Sequence, residues 1–179
     1  MFFKCVHHAP AAEGSGHVKT VSRNNKHFTV DIHCHIHVPE ADELVRQESP
    51  EFTGRTMVDS NPITSKINAD QHQTILPKLT DPEVRLKDMD EQGVDVQAIS
   101  TSPFHYNYFF DAEFTRQTAR LVNDRIAEVV AGHPDRFVGL GTVPLQNPKM
   151  AVAELDRCID DLGFKGVEIS TNVNGQDLT

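Results

Sequence analysis

The feature that most constrains the fold is a short stretch, residues 30–40, in which apolar and polar side chains alternate strictly. It reads Val-Asp-Ile-His-Cys-His-Ile-His-Val-Pro-Glu. A period of two residues is typical of a β-strand, because successive side chains point to opposite faces of the sheet. The alternation is expected to put the histidines on one face and the apolar side chains on the other. The two sets are His33, His35 and His37, and Ile32, Cys34, Ile36 and Val38.

This histidine face suggests a metal site. Imidazoles at positions i and i+2 of a strand lie close enough to bind one divalent cation, and zinc accepts neutral imidazole nitrogen. Pro39 ends the strand, so the histidines lie at its carboxyl end, where α/β folds place their chemistry. A chain with ten histidines can also carry His-x-His merely as the wet face of a half-buried strand. The clustering favours the metal, and we predict His33 and His35 as ligands and Cys34 as a packed thiol.

Length and composition narrow the class of protein. The 179 residues can form one substantial core, but they fall short of the ~250 that are typical of a closed eight-stranded α/β barrel. A net charge of −9 argues against nucleic acid or an anionic membrane as partner. Three widely spaced cysteines indicate reduced thiols, which predicts a cytoplasmic protein. The start of the chain contains neither a signal-peptide core nor a membrane span.

Strand-like and helical segments alternate through the second half of the chain. Helices are expected over 81–92, 111–132 and 147–162, and strands over 94–100, 137–143 and 164–170. This order predicts an α/β fold with right-handed parallel crossovers and all strand carboxyl ends on one rim. The polar residues expected on that rim beside the two histidines are Ser100, Thr101, Thr142 and Ser170 to Asn172.

Three other segments lack regular patterns. Residues 1–27 are expected to form a flexible arm. Residues 49–80 contain scattered prolines and a glycine, which predicts a long loop or lid that supplies substrate contacts. The aromatic residues of 104–109 either line the mouth of a pocket or pack over the rim, and the sequence favours neither interpretation.

Five stretches of the sequence belong together when they are compared with known families. They are Asp31-x-His33-x-His35, Asp81-Pro82-Glu83-Val84-Arg85, 93–101, 136–142 and 163–167. In these stretches the chain resembles the amidohydrolase superfamily, and most closely its branch of aminocarboxymuconate semialdehyde decarboxylase and related metal-dependent carboxy-lyases. The resemblance covers about residues 28–178 in unbroken order.

The resemblance implies a (β/α)₈ barrel of the TIM type that holds a divalent metal, commonly zinc. It assigns the first two ligands to His33 and His35 and leaves His37 outside the motif, as an outer neighbour or facing solvent. The remaining ligands and the histidine base lie on later strands of such enzymes, beyond Thr179 here. We therefore expect residues 28–179 to form the first four β/α units, and the catalytic residues are not predicted. Enzymes of this branch typically carry a substrate-binding arginine a few residues before the Asp81–Arg85 stretch. This arginine is absent here, and the basic residue in that neighbourhood is Lys78.

The expected function is non-oxidative decarboxylation of a small unsaturated or aromatic carboxylic acid by a truncated family member. Two alternatives stay open: a metal-dependent hydrolase of the same superfamily, and a non-catalytic fragment or interaction module. The last could self-associate into a homo-oligomer through the open edges of its sheet.

Overall fold

The computed structural model describes residues 28–50 and 61–178. The predicted N-terminal arm, residues 1–27, lies outside the described residues, as does 51–60 within the predicted loop.

The core of the fold is a four-stranded parallel sheet in the order β1-β2-β3-β4. The strands are β1 Val30–Ile36, β2 Val96–Thr101, β3 Phe137–Gly141 and β4 Gly166–Val167. The helices are α1 Pro39–Glu48, α2 Pro62–Thr80, α3 Pro82–Gln92, α4 Ala112–Gly132 and α5 Pro148–Asp156. A 3₁₀ turn, Pro103–His105, follows β2, and α5 continues as one π-helical segment, Arg157–Asp161. A small hairpin, β5 Asn172–Val173 and β6 Gln176–Asp177, follows β4.

The sequence predicted the helix boundaries well where a cap marks them. The Asp81 side chain accepts a hydrogen bond from the Glu83 N–H and starts α3, and Asp111 caps α4 in the same way. Gly93 ends α3 in the left-handed region, at φ 83°. The fourth predicted strand is much shorter than expected, because only Gly166–Val167 pairs with β3.

The prediction of one long loop over 49–80 is wrong for residues 62–80, which form α2. Asn61 caps this helix by accepting from the N–H groups of Ile63 and Thr64. Pro62 occupies the first turn, where its missing N–H costs nothing. None of the α2 side chains is buried, so no apolar stripe was available to reveal the helix, and its prolines indicated a loop instead.

A β-bulge interrupts the alternation predicted for β1. Asp31 pairs with Gln97 but Cys34 pairs with Ile99, so β1 carries one extra residue between the two pairs. Cys34 is buried as predicted, whereas Ile32 is 76% exposed. Placing Ile32 on the same buried face was therefore wrong, because the extra residue shifts it out of register.

The core lies between the sheet and its helices, around Leu86, Ile99, Ile126 and Phe137. The glycines of β3 allow Phe164 and Cys158 to approach. A Cβ on Gly139 would lie 2.4 Å from the Phe164 ring, and one on Gly141 would lie 2.6 Å from the Cys158 sulfur. Within the described ranges no helix is long and apolar enough to cross a membrane.

Candidate metal centre

His33 and His35 lie side by side at β1 with their Nε2 atoms 3.1 Å apart. The rings meet edge to face at an angle of 81°. Two imidazole nitrogens that each lie about 2.0–2.1 Å from one zinc ion at a tetrahedral angle are about 3.4 Å apart. The described geometry is thus close to what a shared cation requires. His33 is exposed and His35 is half-buried, so solvent reaches the pair.

The ring of His35 is held in the orientation that a ligand needs. Its Nδ1 lies 2.8 Å from the Thr101 carbonyl oxygen and 3.2 Å from the Ser100 hydroxyl oxygen. Because a carbonyl only accepts, the contact with Thr101 favours the tautomer with the proton on Nδ1. The Nε2 lone pair is then free for a metal, as in most metal-binding histidines.

Polar contacts also hold the backbone beneath the pair. The Arg85 guanidinium donates to the His35 carbonyl at 2.6 Å and to the Gln97 side chain at 3.2 Å. Asp31, the acid of the sequence motif, accepts from the His33 N–H at 3.1 Å. These contacts tie β1 to α3 and β2, so the two imidazoles sit on a rigid element.

The structure brings together only part of the predicted rim. Ser100 and Thr101 contact His35, as described above. Thr142 instead bonds through its backbone to the buried Asn123 of α4. Asn172 accepts from the Gly175 N–H within the small hairpin. Neither of the last two residues contacts the histidine pair in the described hydrogen bonds.

Glu168 and Tyr106 join the site although the sequence did not single them out as site residues. A Glu168 carboxylate oxygen lies 3.6 Å from His35 Nδ1, and the other accepts from the Tyr106 hydroxyl at 2.6 Å. Burial, together with this hydrogen bond, raises the pKa of the Tyr106 hydroxyl. Tyr106 also stacks on Tyr108. The sequence signals were the aromatic residues of 104–109, for which lining a pocket mouth was one of two interpretations, and a carboxylate near the end of the fourth predicted strand.

His37 is neither an outer neighbour of this pair nor solvent-facing, contrary to prediction. β1 ends at Ile36, and the His37 side chain is only 8% exposed and contacts Asp42, on α1.

Cys34 is a packed thiol, and burial raises its pKa to about 12. A cavity of about 370 Å³ lies beside Ile36, Leu79 and Arg85, but neither His33 nor His35 lines it.

Comparison with known proteins identifies the family. The family described as Amidohydrolase matches residues 30–179. The 2-amino-3-carboxymuconate-6-semialdehyde decarboxylase of Dictyostelium discoideum is 41% identical over 98 residues, which are 55% of this chain and 27% of that protein. The gamma-resorcylate decarboxylase of Polaromonas sp. is 34% identical over 118 residues, 66% of this chain and 36% of that protein.

A solved structure gives the same relationship in three dimensions. The 5-carboxyvanillate decarboxylase of Novosphingobium aromaticivorans, crystallised with manganese and 4-hydroxy-3-methoxy-5-nitrobenzoic acid, superposes with a TM-score of 0.69 at 26% identity. The match covers 84% of this chain and 44% of that one. This chain spans less than half the length of each of the three relatives. The parallel sheet is thus part of a TIM-type barrel, as expected, and the chain belongs to the amidohydrolase family.

Proposed function

We propose that this chain contributes the first metal ligands of a carboxy-lyase that removes carbon dioxide, without oxidation, from a small aromatic or unsaturated carboxylic acid. The observation that carries the proposal is the His33–His35 pair, with its Nε2 atoms 3.1 Å apart and the His35 Nδ1 held by Thr101. The decarboxylase names of the relatives support the reaction and the substrate class.

The residues have separate tasks in this proposal. His33 and His35 would hold the cation, and the Thr101 carbonyl keeps the His35 proton on Nδ1. The negative charge of Glu168 beside Nδ1 increases the electron density of the ring, which makes Nε2 a better metal ligand. A divalent cation here would supply Lewis acidity that stabilises negative charge on substrate oxygen atoms. Arg85 fixes the position of the strand under the site.

We propose zinc as the resident ion, because two neutral imidazoles suit this borderline-soft cation. Manganese is the alternative, since it is the ion in the solved relative. Measuring the affinity of the chain for each ion in turn, and the turnover of a longer protein that carries the remaining ligands, distinguishes the two.

Two imidazoles do not complete a zinc site, which takes three or four protein ligands. Among the residues described, only His33 and His35 meet with their ligand atoms at this point. We therefore propose that activity needs further ligands and a base from another part of a longer protein or from a second chain. We also propose a cytoplasmic protein, supported by the free, buried thiols of Cys34 and Cys158.

The test combines metal analysis with product analysis. We expect the double variant His33→Ala/His35→Ala to lose the metal bound at this pair. In a longer protein that carries the remaining ligands, it should also lose carbon dioxide release from aromatic carboxylic acids by at least about 100-fold. His133→Gln, on the far end of α4, is the matched control. Unchanged metal content and turnover in the double variant would refute the proposal.

One relative favours keeping a second reaction in the test. The 2-keto-4-carboxy-3-hexenedioate hydratase of Sphingobium sp. is 29% identical over 111 residues, so related proteins also add water. Substrate consumed without carbon dioxide would indicate a hydratase or hydrolase, with His33 and His35 in the same ligand roles.

A further inference from the structure

A second cluster of metal-ligating side chains lies apart from the His33–His35 pair. It consists of His37, Asp42 and His105, which we call the rim triad. The two oxygens of the Asp42 carboxylate each face one imidazole: Oδ2 lies 2.9 Å from His37 Nε2, and Oδ1 lies 3.2 Å from His105 Nε2. One ligand atom from each of the three residues lies within 4.8 Å of the others.

The triad joins three separate parts of the chain. His37 follows β1, Asp42 lies in the first turn of α1, and His105 ends the 3₁₀ turn after β2. The side chains of His37 and His105 are 8% and 1% exposed, whereas that of Asp42 is 39% exposed. The cluster is therefore built into the fold, and an ion can enter from the Asp42 side.

The spacing suits a small divalent cation. Ligand atoms around zinc are about 3.4 Å apart at tetrahedral angles and bond lengths of about 2.0–2.1 Å. The two imidazole–carboxylate separations, 2.9 and 3.2 Å, are slightly shorter than this, and the ligand atoms of all three residues lie within 4.8 Å of one another. The ring of His72 on α2 lies edge-on to His37, with ring centroids 5.7 Å apart.

The donor set of the triad favours a divalent cation. The Asp42 carboxylate lies between two imidazoles, with Oδ2 towards His37 and Oδ1 towards His105. The two rings lie side by side, with centroids 4.8 Å apart. Imidazole nitrogen and carboxylate oxygen are ligands that zinc accepts.

We propose that the rim triad is a second divalent-metal site, which binds a zinc-class cation through His37 Nε2, Asp42 and His105 Nε2. Water or His72 takes the remaining position. The site is independent of the proposed decarboxylation, since it shares no ligand with the His33–His35 pair. An ion bound by His105 holds the 3₁₀ turn after β2 in place, and also Tyr106, the next residue in the sequence.

The experiment uses the full 179-residue chain with its primary pair removed. In the His33→Ala/His35→Ala background, titration with Co²⁺ should give about one ion per chain with the visible absorption of a tetrahedral nitrogen and oxygen site. Adding Asp42→Asn should abolish stoichiometric binding. Glu43→Gln, which changes the exposed neighbouring acid of α1, is the matched control and should leave binding unchanged.

A second measurement does not depend on a substitution in the triad. Nitrogen NMR of the imidazoles in the same background should show that Zn²⁺ shifts His37 and His105 together, and Zn²⁺ should raise the melting temperature. The proposal is overturned if this background binds no Co²⁺, or if binding persists after Asp42→Asn. It is also overturned if Zn²⁺ leaves both ring signals unmoved. Failure of the proposed function gives a different result. The single variant Asp42→Asn, which keeps His33 and His35, would then bind no metal at that pair.

Discussion

His35 is the residue on which the proposed centre depends most, because both of its ring nitrogens have defined neighbours. Nε2 faces His33, and Nδ1 lies near Thr101, Ser100 and Glu168. The histidine pair itself was predictable, since a two-residue period needs no knowledge of the fold. The contribution of Glu168 was not, because this residue follows β4, 133 positions further along the chain, and meets His35 only after the four strands have paired.

The charge of Glu168 gives a prediction at this scale. Glu168→Gln keeps the shape of the side chain but removes the negative charge beside His35 Nδ1, so the affinity of the pair for zinc should fall by roughly 10-fold, the lower end of outer-partner effects. Titration is best done in the Asp42→Asn background, where the rim triad should not compete for the ion. Glu128→Gln, at an exposed acid of α4 paired with Arg125, serves as control. Equal affinity in the two variants would show that the carboxylate does not act on the ring.

At the scale of elements, the predictable parts are those that carry a local signal. The caps Asp81 and Asp111 and the glycine after α3 mark their helices by chemistry within a few residues. The bulge in β1 and helix α2 escaped prediction for opposite reasons. The bulge arises from the register with β2, which the alternating sequence does not contain. Helix α2 has no buried face, so its only signal was a cap and a proline that also occur in loops.

The close approach of α5 and β4 to β3 gives a prediction for these elements. Gly139→Ala would put a methyl group 2.4 Å from the Phe164 ring, and such overpacking should lower the free energy of unfolding by about 1–3 kcal/mol. Gly132→Ala meets no atom within 4 Å and adds helix propensity at the end of α4, so it should be neutral or stabilising by up to about 1 kcal/mol. Urea unfolding of both variants measures the difference. Equal stability would mean that Phe164 yields without cost.

At the scale of the whole molecule, four parallel strands leave two sheet edges open in the part of the chain that the structure describes. β1 pairs only with β2, and β4 only with β3. The order of the elements predicted the parallel α/β sheet, and the resemblance to the amidohydrolase superfamily implied that it is the first half of a barrel. What sequence order does not contain is the surface that the open sheet exposes. Phe28 is 72% exposed, Ile32 76% and Val30 48%, all along β1 or just before it. In a closed barrel such an edge is covered by further strands.

This exposed edge predicts self-association of the chain. An unpaired strand with apolar side chains is a template for pairing with another copy, and a lysine there opposes such pairing. We therefore expect Ile32→Lys to reduce the oligomeric fraction seen by analytical ultracentrifugation without changing the helical circular dichroism. Val152→Lys replaces an apolar residue that is 56% exposed on helix α5 rather than on β1, and should leave association unchanged. The prediction is wrong if the wild-type chain stays monomeric at all concentrations, or if the two lysine variants behave alike. The edge of β1 would then not be the contact between copies, and other parts of a longer protein would cover it.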